Sequence, residues 1–174
     1  HYNTFAGRLP YVLEFRYNNQ EFILINIHLK CCGDGVIDEN DSGDEEYKRL
    51  MSANYLNEYI SNNLGDKNVM VLGDFNDDLA DDYNVFDIFL DNPQEYLFAD
   101  YPMAEENNEW AYWSYPSYPS HIDHILITNE LFDEYENLNS TCYTVLADSY
   151  FSHWNSYDSY VSDHRPVIIS LQIN

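Results

Sequence analysis

The chain has 174 residues, 31 of them Asp or Glu against 7 Lys or Arg, for a formal charge of −24 and a sequence pI near 4.1. That length suits a single domain with a real core, and 45% hydrophobic with 17% aromatic residues excludes a disordered acidic tail. No apolar run approaches the roughly 18 residues of a membrane span, and no broad basic face is available to grip a polyanion. A phosphate-bearing partner would therefore need a cation to supply much of the positive charge.

In chain order, Tyr11 to Tyr17 and Glu21 to Lys30 read as two strands joined by a turn at Asn18-Asn19-Gln20. The second, with Phe22-Ile23-Leu24-Ile25-Asn26-Ile27-His28-Leu29, has the β-branched richness of a largely buried strand. Cys32 to Asp44 is a glycine-containing acidic loop. A helix follows: Ser42 and Glu45 have capping-box spacing, with Asp44 as the alternative N-cap. Its apolar positions are Tyr47, Leu50, Met51, Leu56, Tyr59 and Ile60, and Gly65 is the stop. Asn68 to Gly73 predicts a short buried strand ending at Asp74, Asp77 to Asp82 a loop, Val85 to Leu90 a short helix and Glu95 to Ala99 another strand. Between Asp100 and His121 the prolines and aromatics predict an ordered surface loop. Ile122 to Thr128, Thr141 to Ala147 and Arg165 to Ile173 complete about seven strands with few helices, an α+β arrangement in one domain.

The three cysteines contain no CxxC and so no zinc-ribbon or thioredoxin-like pattern. They read as free thiols, or as a bridge from Cys142 to Cys31 or Cys32 in an oxidising compartment, a bond within the adjacent pair being strained. The acidic clusters at Asp38 to Glu46 and Asp77 to Asp82 lack EF-hand spacing and read as solvated loops.

Candidate chemistry gathers at strand ends. Asp74 and Asn76 follow a buried strand, His28 lies near the end of another, and Asp163-His164 precede the last. Each has a structural reading as a turn or loop residue. Asp123 is different, because a carboxylate within Ile122-Asp123-His124-Ile125-Leu126-Ile127 is costly to bury unpaired. It makes sense as the acceptor for a histidine ring, with His164, His28, His121, His124 and His153 as candidates. Asp163 beside such a histidine could hold a hard divalent cation, Mg²⁺, Mn²⁺ or Ca²⁺ rather than zinc. An Asp-x-Asn pair could orient a water and donate to a developing oxyanion. Together these groups describe hydrolysis of a phosphate ester.

Gly73-Asp74-Phe75-Asn76, Ile122-Asp123-His124-Ile125 and Ser162-Asp163-His164-Arg165-Pro166-Val167 occur in the order seen in the endonuclease/exonuclease/phosphatase superfamily, and Asn26-Ile27-His28-Leu29 resembles its strand-borne histidine motif. The resemblance implies a four-layer α/β sandwich of the DNase I-like kind with the site at one edge of two packed sheets. Carried over, it makes Asp74 the residue that orients or deprotonates water, Asn76 the phosphate ligand and His164 the stabiliser of the phosphorane. Asp123 would hold the His164 ring, Asp163 would help bind the metal, and His28 would contact phosphate or protonate the leaving group. The aromatic loop from Trp110 to His121 resembles a variable substrate-side insertion.

The likeness covers only the later part of the family's domain. The first strands, with their Asn and metal-binding Glu, have no counterpart here, and Glu14 is in the wrong context to replace that Glu. A missing N-terminal segment, or a second chain, is therefore expected to complete the fold. The resulting expectation is a metal-dependent phosphodiesterase acting on nucleic acid. The alternatives are a phosphatase, a sphingomyelinase-like enzyme on the same scaffold, or a non-catalytic binding module. Composition and resemblance suggest an extracellular or periplasmic setting, although His1-Tyr2-Asn3-Thr4 begins no visible signal peptide.

Overall fold

The computed structural model describes residues 2–106 and 108–173. Strands β1 (Tyr11–Tyr17) and β2 (Gln20–His28) form an antiparallel hairpin whose turn residues Asn18 and Asn19 both take positive φ, the conformation that tight hairpin turns require. Helix α1 (Glu45–Asn63) carries the chain to β3 (Asn68–Asp74), which lies parallel to β2, as a crossover helix must when it joins neighbouring parallel strands. After the short helix α2 (Asp87–Leu90) come β4 (Tyr96–Phe98), helix α3 (Tyr101–Glu105) and β5 (Asp123–Thr128), which is antiparallel to both β3 and β4. The sheet order is β1-β2-β3-β5-β4. Helix α4 (Phe132–Tyr135), β6 (Thr141–Thr144), helix α5 (Trp154–Tyr160) and β7 (Val167–Ser170) follow, with β6 and β7 paired as a second, two-stranded sheet.

Alternation along the central strands divides the core in two. Ile23, Ile25 and Ile27 of β2, Val69 and Val71 of β3 and Leu126 of β5 join Ala53, Leu56 and Ile60 of α1 on one face. On the other, Phe22, Met70, Ile125 and Ile127 pack with Leu24, Leu72, Val167 and Ile169, so the second sheet covers this face. The cover stops short of the hairpin. All seven residues of β1 are exposed, including Tyr11, Leu13, Phe15 and Tyr17, and the outer edge of β1 has no neighbour among the described residues. A groove lined by Phe15, Phe22, Leu24, Leu72 and Ile169 lies open beside it.

Several elements differ from their sequence expectation. Of the two N-caps expected for α1 it is the alternative, Asp44, that serves, its carboxylate accepting from the Tyr47 amide at 2.6 Å. The buried stripe of α1 begins with Glu46 and Arg49 rather than Tyr47, Leu50 and Met51, because its first turns serve as an anchor for the loop after β2. Strands β6 and β7 are shorter than their apolar runs: Val145 and Leu146 leave the ladder, and Arg165 stays outside it as a buried ion-pair residue. Helix α3 interrupts the proline-rich loop, with Pro102 in its first turn where a missing N–H costs nothing.

Gly73 fixes how closely the two central parallel strands meet. Its φ is +134°, and a Cβ there would collide with the Ile27 carbonyl of β2. Gly73→Ala combines a strained backbone with overpacking. We expect it to destabilise the fold by on the order of 3 kcal/mol, read as a lower denaturation midpoint in urea.

Candidate functional site

The strand register assembles the first three groups. His28 pairs laterally with Asp74, and Asp74 with Asp123, so one rung across β2, β3 and β5 carries a histidine and two carboxylates. Laterally paired residues point to the same face. Here that is the face covered by the second sheet, and the rung lies at its margin, where the strands end. His164 arrives from the segment before β7. Its Nδ1 donates to Asp123 Oδ2 at 2.7 Å, while its Nε2 lies 3.9 Å from Asp74 Oδ2. His28 Nε2 is 3.3 Å from the same Asp74 oxygen.

Asn76 follows in a positive-φ turn (+57°) and its amide N–H donates to Asp74 Oδ1 at 2.9 Å. One N–H of its side chain reaches the Leu29 carbonyl at 3.3 Å, leaving the other for a ligand. Asp163 is exposed on the same cavity of about 450 Å³, which is lined by His28, Cys31, Cys32, Asp74, Asn76, Tyr115, Ile122, Asp123, Asp163 and His164. Every site residue expected from sequence thus reaches one cavity. Asp74, Asp123 and His164 form its tight cluster, with one ligand atom from each within 4.8 Å of the others, and Asp163 stands outside that cluster.

The environment separates the protonation behaviour of these groups. Burial, reinforced by the charge of Asp123, pushes Asp74 up to about 6. For His164, burial favours the neutral ring, but the hydrogen bond and charge of Asp123, with Asp74 and Asp163, outweigh it and raise its pKa. His28 moves down through burial and the positive charges of Arg8 and His164. The donor set suits a hard divalent cation: Asp74, Asn76, Asp123 and Asp163, all oxygen donors, line the cavity. A cation there would also offset the burial and the Asp123 charge that together raise Asp74.

Residues outside the expected site set hold this arrangement in place. The buried Ser114 hydroxyl accepts the amides of Ile122 and Asp123 at 3.0 and 3.1 Å, and its carbonyl accepts the Arg165 amide at 2.7 Å. It therefore pins the aromatic loop to both segments that carry the Asp123–His164 pair. Tyr115 stacks on the His164 ring at 4.7 Å. Arg165, buried beneath the loop, makes a bidentate pair with Asp148 and lies over the rings of Trp110 and Trp154. The loop is thus more deeply seated than its composition implied.

Behind the rung, on the opposite face of β5, Asp100 is fully buried. Its Oδ1 accepts the Ile125 amide, and its Oδ2 faces His124 Nδ1 at 2.5 Å and His121 Nε2 at 3.0 Å. The remaining ring nitrogens face the carbonyls of Asp77 and Tyr112. His121 and His124, both candidates for the Asp123 partner, are therefore occupied elsewhere, and His153 bonds Ser156. His164 takes the role.

Five strands with this rung, backed by helices and faced by a second sheet, define an α+β fold of the kind found in endonuclease/exonuclease/phosphatase structures. Among solved structures, the chain is similar to beta toxin from Staphylococcus aureus, crystallised as a mutant with bound magnesium ions (TM-score 0.53, 16% identity, 95% of this chain and 58% of that one). It is also similar to the human Nocturnin catalytic domain with bound sulfate (0.51, 18%, 92% and 51%) and to an endonuclease/exonuclease/phosphatase family protein from Bacteroides thetaiotaomicron (0.50, 17%, 90% and 51%). The chain spans a little over half the length of each. No family model and no curated protein matches it.

The Asp123 carboxylate contributes most to raising His164, through both a hydrogen bond and its charge, so Asp123→Asn should weaken the opposition to burial. In EDTA-treated protein, NMR titration of the His164 ring is expected to show a pKa above that of an ordinary histidine, and Asp123→Asn is expected to lower it.

Proposed function

We propose that the chain carries the catalytic groups of a divalent-metal-dependent phosphodiester hydrolase, most concretely a DNase I-like endonuclease. The observation that carries this reading is the His164–Asp123 pair set beside Asp74 and Asn76 on one cavity. Mg²⁺, or Mn²⁺ or Ca²⁺ in its place, would be held by Asp163 with neighbouring carboxylates and would supply positive charge against the phosphate oxygens.

The chain's own residues supply the rest. Asp74, its carboxylate poised near neutrality, orients a water and accepts its proton as the oxygen attacks phosphorus. The free N–H of Asn76 donates to a non-bridging phosphate oxygen. His164 keeps Nδ1–H on Asp123 and presents protonated Nε2 to the charge that builds on the phosphorane. His28 faces the same ground, and its lowered pKa fits a hydrogen-bonding contact to phosphate better than the role of proton donor at neutral pH. Tyr115, flat against His164, keeps that ring from rotating and offers an aromatic wall to a base.

His164→Ala in the full-length protein is expected to lower phosphodiesterase activity by roughly 10²- to 10⁴-fold with an unchanged circular dichroism spectrum. Near wild-type turnover would sink the assignment. Plasmid DNA, sphingomyelin and inositol phosphates, assayed side by side with Mg²⁺, distinguish the nuclease from the sphingomyelinase-like and phosphatase readings. The nuclease reading expects DNA to be cleaved fastest, and turnover of none of the three would favour a binding module.

The reading includes further polypeptide, either more of the same chain or a second chain, that pairs with the free edge of β1 and covers the apolar groove beside it. Such an edge and groove are unusual on a monomer surface. The intact mass of the natural protein, or that of a co-purifying partner, is expected to account for more than the 20.5 kDa of these residues. A monomer of 20.5 kDa would overturn this part.

A further inference from the structure

Cys31 and Cys32 line the catalytic cavity but have no part in phosphoester chemistry. The loop that carries them is fixed from beneath. Arg49, buried on α1, donates through Nη1 to the carbonyls of Lys30 and Cys32, both at 2.8 Å, and through Nε to Asp77 at 2.7 Å. Beyond the pair the backbone turns sharply, with Cys32 at φ +72° and Gly33 at +115°. A side chain at Gly33 would strike the buried Glu46 carboxylate, which accepts the Gly35 amide at 2.6 Å. Held this way, Cys32 Sγ donates to Cys31 Sγ at 2.9 Å, with Cys31 half-buried and Cys32 exposed.

Adjacent residues joined by a trans peptide place their Cα atoms about 3.8 Å apart, below the roughly 4.4 Å at which disulfides begin. A direct S–S bond is therefore strained, whereas one atom inserted between the sulfurs enlarges the ring and relieves it. The hydrogen bond to Cys31 also holds the Cys32 thiol above its ordinary pKa.

We propose that Cys31 and Cys32 form a chelating site for a thiophilic trivalent metalloid such as arsenic(III), in the wall of the cavity. The narrow bite suits a pyramidal centre whose two bonds to sulfur lie at nearly right angles, and not a linear two-coordinate ion. With phenylarsine oxide, two As–S bonds form and two S–H bonds break. Both protons leave with the oxo oxygen as one water molecule, and arsenic stays trivalent, so no oxidant or reductant enters. The proposal rests on the loop and does not depend on the catalytic reading.

The test is intact mass and thiol titration of the reduced, desalted protein after one equivalent of phenylarsine oxide. The expected result is a one-to-one adduct with loss of two titratable thiols, reversed by 2,3-dimercaptopropanol but not by an equal concentration of 2-mercaptoethanol. Cys142→Ser should retain the adduct, whereas Cys31→Ser and Cys32→Ser should each lose it. An adduct that survives in either single variant would overturn the proposal. So would its absence from wild-type protein whose two thiols react with a monofunctional reagent.

Discussion

The position of β3 between a parallel and an antiparallel neighbour is the constraint on which the rest of the molecule depends. Gly73 lets β2 approach, and the resulting register sets His28, Asp74 and Asp123 in one line. Side chains alternate along a strand, so a slip of one residue would exchange the two faces. It would bring Ile27 and His124 to the cavity and bury the carboxylates against α1. The same alternation sends His124 to the back of the sheet, where Asp100 and His121 receive it. Neighbouring residues of one motif thus serve different purposes: Asp123 positions a ring in the cavity, and His124 ties β5 to the turn after β3 and to the segment before α3.

Positive charge is almost wholly committed to holding the chain together. Arg49 and Arg165 are buried clamps, Arg16 and Lys67 both pair with Glu21, and Lys30 pairs with Glu45. Arg8 and Lys48 bond the carbonyls of Leu29 and Gly43. All seven basic side chains therefore have internal partners, and none lines the cavity. Its lining presents carboxylates, an amide and two histidines. A net charge of −24 alone would allow a local basic patch. The placement of each cation shows instead that no basic side chain lines the cavity.

Much of this was legible in the sequence because its signals were strong and local. Buried strands announced themselves through β-branched runs, and a carboxylate inside one of them, Asp123, demanded a partner. The helix stripe was misjudged at its first turn because Glu46 and Arg49 look like solvated charges until the loop they anchor is seen. Helix α5, Trp154-Asn155-Ser156-Tyr157-Asp158-Ser159-Tyr160, has little helix propensity and forms where Tyr157 is buried and bonds the His164 carbonyl. Ser114 carried no signal at all: serines are common in loops, and only the meeting of three segments gives this one its place. Cys31 and Cys32 were visible as a pair, but no spacing rule could seat them beside His28.

The cavity also has a bearing on how the molecule comes to exist. Its groups are drawn from β2, β3, β5 and the approach to β7, and the contact between Asp123 and His164 alone closes a separation of 41 residues. No helix or hairpin can form any part of it in isolation. Non-local pairings of this kind are slow to form because chain entropy must be surrendered before contacts repay it. The hairpin β1–β2 can form early, but the cluster exists only once the last strand has docked. Its appearance during refolding would mark completion of the whole sheet arrangement, which makes the cluster a late reporter of correct assembly.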